Sequence, residues 1–365
     1  MNFVSKHRFT ESGELAESKN PIASERDRAS TGEAHSSMPK GADVEVMSHS
    51  ELMRFLSRTY QELGVVLDPN TKCIWCYLRP KGPPSFTPSM VRELIVLHRS
   101  IQALAASQGP NEEPLVRYYV QASQIPGIYN MGGDLSFLAD RIGHHDREAI
   151  RQYAYGCVDA VYHIAVGFDS GIVSVGLLQG DALGGGLEGA LCCNFIIAER
   201  GVKMGLPEIL FSCFPGMGAY SMLSRRLDSI RAERMIFSGR IYSAEEMYDL
   251  GVIDLVVDSG CGEQAVREYV GDSRKHGARR AIYRARQRAN RLTLSELRDI
   301  TDMWVETTMK LTEADLRRMS HLQSAQVRRL RRGAPLPFGD CVRVIETGGG
   351  VSRESLAHQV CEASG

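Results

Sequence analysis

The chain has 365 residues, a formal net charge of −1 and 43% apolar residues. Such a length suits one large domain or two small ones with a real core. The near-neutral balance gives no overall pull toward nucleic acid, and the lack of any apolar run of about eighteen residues excludes a spanning helix.

Residues 1–46 are rich in Ser, Glu, Lys and Arg and poor in aromatics, so a disordered tail is expected there. Its start, MNFVSKHRFTESGELAESKN, lacks the apolar centre of a secretory signal, and a cytoplasmic protein is expected. Thr59 to Leu67, the turn Asp68-Pro69-Asn70, and Lys72 to Leu78 read as a β-hairpin. Cys73 and Cys76 have CxxC spacing within its second strand. Positions i and i+3 of a strand face opposite ways, and no second pair or nearby His completes a site. Buried thiols are the expectation for both, and the nine cysteines as a set are expected to be reduced.

Thr87-Pro88 reads as an N-cap followed by Pro at the first helical position. Val91, Leu94, Ile95, His98 and Ile101 then recur at helical spacing. His98 on that apolar face reads as a packed histidine. Leu115 to Val120 is a predicted strand feeding a Gly132-Gly133-Asp134 turn, and Asp146 to Val166 is an amphipathic helix. Gly171 to Gln179 contains a buried-strand run, IVSVGLL. It leads into Gly184-Gly185-Gly186 and a small-residue helix, Leu187 to Cys193. Strands follow at Phe195 to Ala198 and Val202 to Met204. Helices follow near Ala219 to Arg226 and Ser229 to Phe237, and Ser243 with Glu246 forms a capping-box pattern. Alternating strands and helices over 47–260 imply an α/β core. From Cys261 to residue 332 only helices are predicted, with Leu297, Ile300, Trp304 and Leu311 as an apolar stripe. Residues 333–365 are Gly-rich and polar and are expected to be loose.

The glycine run marks the chemistry. At a strand-to-helix junction the backbone can pass close to a ligand, because no Cβ intervenes. The free N–H groups of the helix start favour negative charge. Glu188 lies in the first turn, and Glu208 follows twenty residues on in Leu206-Pro207-Glu208. Pro207 is expected to hold that carboxylate on a stiff, non-helical segment. Two carboxylates in an apolar stretch are costly to bury unless they have work or partners.

ALGGGLE, followed by LPEILFSCFPGMG, resembles the enoyl-CoA hydratase (crotonase) superfamily. Within it the chain is most similar to the synthases of diffusible signal factor, the cis-2-unsaturated fatty acid quorum signals of bacteria. YNMGGDLSFL and YSAEEMYDLGVIDLVV extend the likeness, which runs from about Tyr60 to Leu330. The resemblance implies a spiral of repeated ββα units with a C-terminal helical region. It implies an oxyanion hole made by the N–H groups of Gly133 and Gly185, with Glu188 and Glu208 as catalytic carboxylates. Gly184, Leu206, Met217 and Trp304 are the implied substrate contacts, although Trp304 fits a core or trimer contact equally well. No metal or cofactor is implied.

The implied reaction is dehydration of a medium-chain 3-hydroxyacyl thioester and hydrolysis to the free cis-2-enoic acid. The carrier is acyl carrier protein or CoA. A homotrimer or hexamer is expected. An ordinary hydratase or isomerase on CoA esters is the alternative; YNMGGDLSFL lacks the lysine that hydratases often carry after the Asp. A regulatory role, held by the receiver domain of a sensor kinase, is a third reading. Arg274 to Arg291 contains eight basic residues and no acid, and Arg328, Arg329, Arg331 and Arg332 add a second cluster. A solvated helix face is the default, docking of an acidic carrier protein the sharper alternative. Nucleic acid ranks below both, because no recognition motif accompanies the charge.

Overall fold

The structure, a computed structural model, describes residues 60–109, 113–332 and 342–344. β1 (Leu63–Asp68) and β2 (Cys73–Leu78) form the expected antiparallel hairpin. Asp68 closes its turn by accepting from the Asn70 and Thr71 N–H groups. Along β2, Cys73 and Trp75 join one buried cluster, while Ile74, Cys76 and Leu78 join the other. The two thiols therefore point apart, both buried, and burial pushes the Cys76 thiol up to about 12.

α1 (Pro88–Ala106) starts as its sequence predicts: the Thr87 hydroxyl accepts from the Met90 N–H, with Pro88 next in line. His98 is fully buried on its inner face, with Nε2 3.2 Å from the Tyr119 hydroxyl. Burial pushes this imidazole down to about 3, so it packs as a neutral ring. β3 (Tyr118–Ser123) begins three residues later than alternation suggests, because its pairing starts where Tyr118 meets Cys73 of β2.

From β3 the chain repeats one plan. β3 is followed by β4 (Gly127–Asn130), α2 (Leu135–Gly143) and α3 (Arg147–Ala165). β5 (Val173–Leu178) is followed by β6 (Gly180–Leu183) and α4 (Gly185–Leu191). β7 (Phe195–Glu199) is followed by β8 (Lys203–Gly205), a 3-10 turn at Pro207–Phe211, α5 (Ala219–Arg226) and α6 (Ser229–Ser238). β9 (Ile241–Ser243), α7 (Ala244–Asp249) and β10 (Leu255–Val257) complete the core. The first strand of each unit enters a larger sheet, in which β2, β3, β5, β7 and β10 are successive parallel neighbours. The second strand enters a smaller sheet of order β4-β6-β8-β9. Each ββα unit thus steps one strand along both sheets at once, giving the spiral that the resemblance implied. Ser243 and Glu246 make the reciprocal capping box at the start of α7.

The strands of the larger sheet are buried on both faces, as parallel strands are. Val173, Val175 and Leu177 face Val266 and Val270 of α8 (Gly262–Gly271). α9 (Ser273–Ala289), α10 (Leu294–Thr308) and α11 (Glu313–Arg332) follow, so residues 261–332 are helical as expected. Two expectations need correction. Val342–Val344, within the stretch expected to be loose, forms β11, parallel to β1 with Val65 opposite Val342. β1 otherwise offers a bare edge, which a short β-branched segment can cover. The Pro207 segment, expected to be non-helical, is a 3-10 turn, because a proline at the first helical position loses no bond the turn needs. The predicted 1–46 tail, the rest of 333–365 and the side chains of Arg328, Arg329, Arg331 and Arg332 lie outside the described residues. No helix among the described residues is long and apolar enough to cross a membrane.

Candidate active site

β4 and β6 are parallel neighbours, so their ends deliver two loops to one place. The first loop is fixed from three sides. Asn130 Oδ1 accepts from the Gly132 N–H at 2.7 Å, and the Phe86 N–H donates to the Gly132 carbonyl at 2.8 Å. The Tyr153 hydroxyl donates to the Phe86 carbonyl at 2.5 Å and accepts from the Asp134 N–H at 3.0 Å. Asp134 then caps α2 by accepting from the Phe137 N–H. In the second loop the Gly184 N–H donates to the Gly205 carbonyl at 2.8 Å, which ties it to β8.

The two loops touch through their backbones. A Cβ on Gly132 would sit 3.0 Å from the Gly185 nitrogen, and one on Gly185 would sit 3.3 Å from the Gly133 nitrogen. The Gly133 and Gly185 amides are therefore close neighbours, and both residues line one cavity. Among the described residues, neither amide donates to a backbone carbonyl outside the regular helices and strands. Gly184, with φ +54°, makes the turn between β6 and α4, and a Cβ there would strike Glu208 Oε1 at 2.6 Å. Glycine is required here twice over, by backbone angle and by the carboxylate beside it.

That cavity has a volume of about 180 Å³. Glu188 and Glu208 both line it, and both are buried. α4 carries Glu188, whose Oε1 accepts from the Met217 N–H at 2.7 Å and the Ala219 N–H at 2.9 Å. The start of α5 thus holds this carboxylate with amides that its helix leaves unpaired. Burial raises Glu188 from the usual range to about 7, against the pull of those two N–H groups. Glu208 sits in the 3-10 turn with Oε2 lacking a hydrogen-bond partner. Burial, and then the charge of Glu188, push it well above the ordinary carboxyl range. Burial and mutual repulsion thus push both carboxyls in the same direction, against the two being ionised together.

The remaining wall is apolar. Leu135, Leu138, Phe211, Leu311 and Met319 line it together with Trp304. The Trp304 ring lies against the Gly216 backbone, where a Cβ would come within 2.5 Å of it. The Thr301 hydroxyl, one turn back on α10, donates to the Gly216 carbonyl at 3.2 Å. The structure places Gly184, Met217 and Trp304 on the cavity wall. Leu206, implied as a substrate contact, is not among the lining residues; it is 1% exposed and packs into the main core. Cys157 and Cys213 line the cavity without being anticipated, and burial raises their thiols to about 12 and about 11. Such thiols are poor nucleophiles at neutral pH. Tyr153 was also missed; its place on the buried stripe of α3 was the only sign in the sequence.

The sequence model of the family described as "Enoyl-CoA hydratase/isomerase" matches residues 79–314, well over half of the chain. The protein belongs to this family. A 176-residue stretch is 30% identical to mouse (Mus musculus) mitochondrial methylglutaconyl-CoA hydratase, covering 48% of this chain and 52% of that one. The crotonyl-CoA hydratase of Syntrophomonas wolfei is 26% identical over 149 residues, 40% of this chain and 54% of the relative. The chain thus spans about half the length of these curated relatives. Among solved structures, Pseudomonas aeruginosa DspI is 25% identical with a TM-score of 0.53, covering 68% of this chain and 89% of that one. The enoyl-CoA hydratase of Bacillus halodurans has a TM-score of 0.58 at 18% identity, covering 72% and 100%. The fold is that of the solved hydratases.

Proposed function

We propose that the protein catalyses addition or elimination of water across C2–C3 of an acyl thioester. One observation carries this reading: two buried carboxyl groups and two neighbouring backbone amides line a single, largely apolar cavity. The thioester carbonyl takes the Gly133 and Gly185 N–H groups. Negative charge grows on that oxygen as C2 gains carbanion character, so the donors bind the transition state better than the ground state. Hydration needs one of the pair as base and the other as acid. Glu188 removes a proton from the water attacking C3, while Glu208 delivers its proton to C2. Elimination runs the same path backward: Glu208 takes the C2 proton and Glu188 protonates the departing hydroxyl.

The finer reading is a diffusible signal factor synthase. It dehydrates a medium-chain 3-hydroxyacyl thioester on acyl carrier protein, then hydrolyses the cis-2-enoyl thioester to the free acid. The sequence resemblance and the likeness to DspI support it. So does a cavity wall of long apolar side chains, which suits an alkyl chain. In the second step water attacks the thioester carbonyl with a carboxylate as base, and the same two amides hold the tetrahedral oxygen. A hydratase acting on CoA esters is the second reading, favoured by the names of the curated relatives.

Purified protein given 3-hydroxydodecanoyl carrier protein, and the matching CoA ester, separates the two. Free cis-2-dodecenoic acid from the carrier-protein form is the expected product. Enoyl thioester alone, with no free acid, rules out the synthase and leaves the hydratase. No reaction at C2–C3 on either carrier removes both.

A further inference from the structure

A second and larger cavity, about 700 Å³, lies at the far end of α4. The N-terminus of that helix faces the catalytic cavity, whereas Cys192, Cys193 and Asn194 at its other end line the second one. The two cavities share no lining residue. Seven arginines line the second: Arg225 and Arg226 from α5, and Arg280, Arg284, Arg286, Arg288 and Arg291 from α9 and its exit. The only acidic residue in the lining is Asp169, whose carboxylate accepts from Gln102.

The arginines are not equivalent. Arg225 is paired with Glu296 and Arg226 with Asp254. Arg280 and Arg286 donate to the Ser170 and Asn194 carbonyls, which fixes them in place without neutralising them. Among the described residues, no carboxylate lies within ion-pair reach of the five arginines of α9 and its exit. The chain as a whole is close to neutral, so this concentration of uncompensated charge is local. Like charges gathered around one cavity repel unless an anion joins them.

We propose that this cavity binds a small anion carrying two or more phosphate groups. Three features choose that class. Guanidinium forks match phosphate oxygens in pairs. Several such forks exceed what a single phosphate can satisfy. The volume falls within the range of small-molecule pockets and is concave, unlike a flat protein-docking face. The binding reaction is independent of the carboxylate chemistry at the other end of α4.

The test is calorimetry of the full chain with sodium tripolyphosphate at about 150 mM salt, where surface attraction is largely screened. Saturable one-to-one binding with a rise in Tm is expected. Arg284 and Arg288 are exposed and unpaired, so Arg284→Glu/Arg288→Glu leaves folding intact. That double variant is expected to bind roughly a hundredfold more weakly, about tenfold for each lost charge-assisted contact. Glu188→Gln is expected to bind as the parent does, which keeps this result separate from any failure of the proposed reaction. Unsaturable heats, or equal heats in the double variant and the parent, overturn the proposal. So does absence of tripolyphosphate binding combined with a change of oligomeric state in the double variant, which makes the cavity an interface between copies. Capture of an acidic carrier protein by these arginines, with no tripolyphosphate binding, overturns it in favour of a protein partner.

Discussion

The two ends of α4 show one backbone polarity put to opposite uses. Its first amide, Gly185 N–H, is left open beside Gly133 N–H in a small apolar cavity. In the proposed reaction, an oxygen that becomes negative only during turnover would meet donors there that need not reorganise. Just past the other end, Arg226 donates to Cys193 O at 2.6 Å and Arg286 to Asn194 O at 3.2 Å. Cations at a helix C-terminus complete its dipole, and carboxylates near the N-terminus would normally do the same there. Glu188 does not serve that purpose. Its oxygen turns away to the Met217 and Ala219 amides at the head of α5. The Glu188 carboxylate is thereby held by the head of α5 rather than by the first amides of its own helix.

The contrast breaks most sharply at the carboxyl groups. Glu188→Gln and Glu208→Gln keep shape but remove proton transfer, and each is expected to lower kcat by about 10²–10⁴-fold. Retained water addition or loss in either variant, followed at the enoyl absorbance, contradicts the assignment. Next comes the amide pair. Gly185→Ala places a methyl 2.7 Å from Met217 Sδ and 3.3 Å from the Gly133 nitrogen. It crowds the position an oxyanion must occupy, so a loss of about 10²–10³ in kcat is expected with the fold intact by circular dichroism. A variant of normal activity would place the carbonyl elsewhere.

The spiral's outer parts were legible because local chemistry and tertiary demand agree there. Thr87-Pro88, Ser243 with Glu246, and the opposed faces of Cys73 and Cys76 each satisfy nearby backbone or faces, and each appears as its residues predict. Glu188 and Glu208 stood out as carboxylates in an apolar stretch, whereas Gly133 and Gly185 were paired only through the family resemblance; all four line one cavity. What failed depended on distant partners. β4 and β6 are four residues each and exist because they pair with one another. β11 depends on the free edge of β1, nearly 280 residues earlier. Leu206 was implied as a substrate contact by the resemblance, but side-chain direction is set by packing, and here it joins the core. The meeting of Met217 and Ala219 with Glu188 spans about thirty residues and leaves no local trace.

A finer probe of the catalytic side is the depth of its apolar wall. Trp304 is half-buried and rests on Gly216. Trp304→Ala is expected to shift preference toward longer acyl chains, with kcat/KM ratios changing by about tenfold per added methylene or two. A uniform loss across a ladder of chain lengths would instead make Trp304 a support for the loop.

The smallest expected effect concerns stability, and its sign follows from burial. Glu188 is raised to about 7, above the unfolded-chain value of 4.5, and Glu208 is raised further in the same direction. A carboxyl with a raised folded-state pKa holds its proton more tightly when folded, so its contribution is favourable at low pH. That contribution is lost as pH climbs from about 4.5 through 7 for Glu188, and on above that for Glu208. A glutamine cannot ionise and escapes this loss. Glu188→Gln should therefore match the parent near pH 4 less the two amide bonds it weakens, and overtake it as pH rises. At pH 8 we expect it to be more stable by roughly 1–2 kcal/mol, the size of a favourable single substitution. Urea unfolding of both proteins across that range supplies the check. Parallel curves with no crossing would mean that Glu188 titrates as an ordinary solvated carboxylate, despite its burial in the cavity wall.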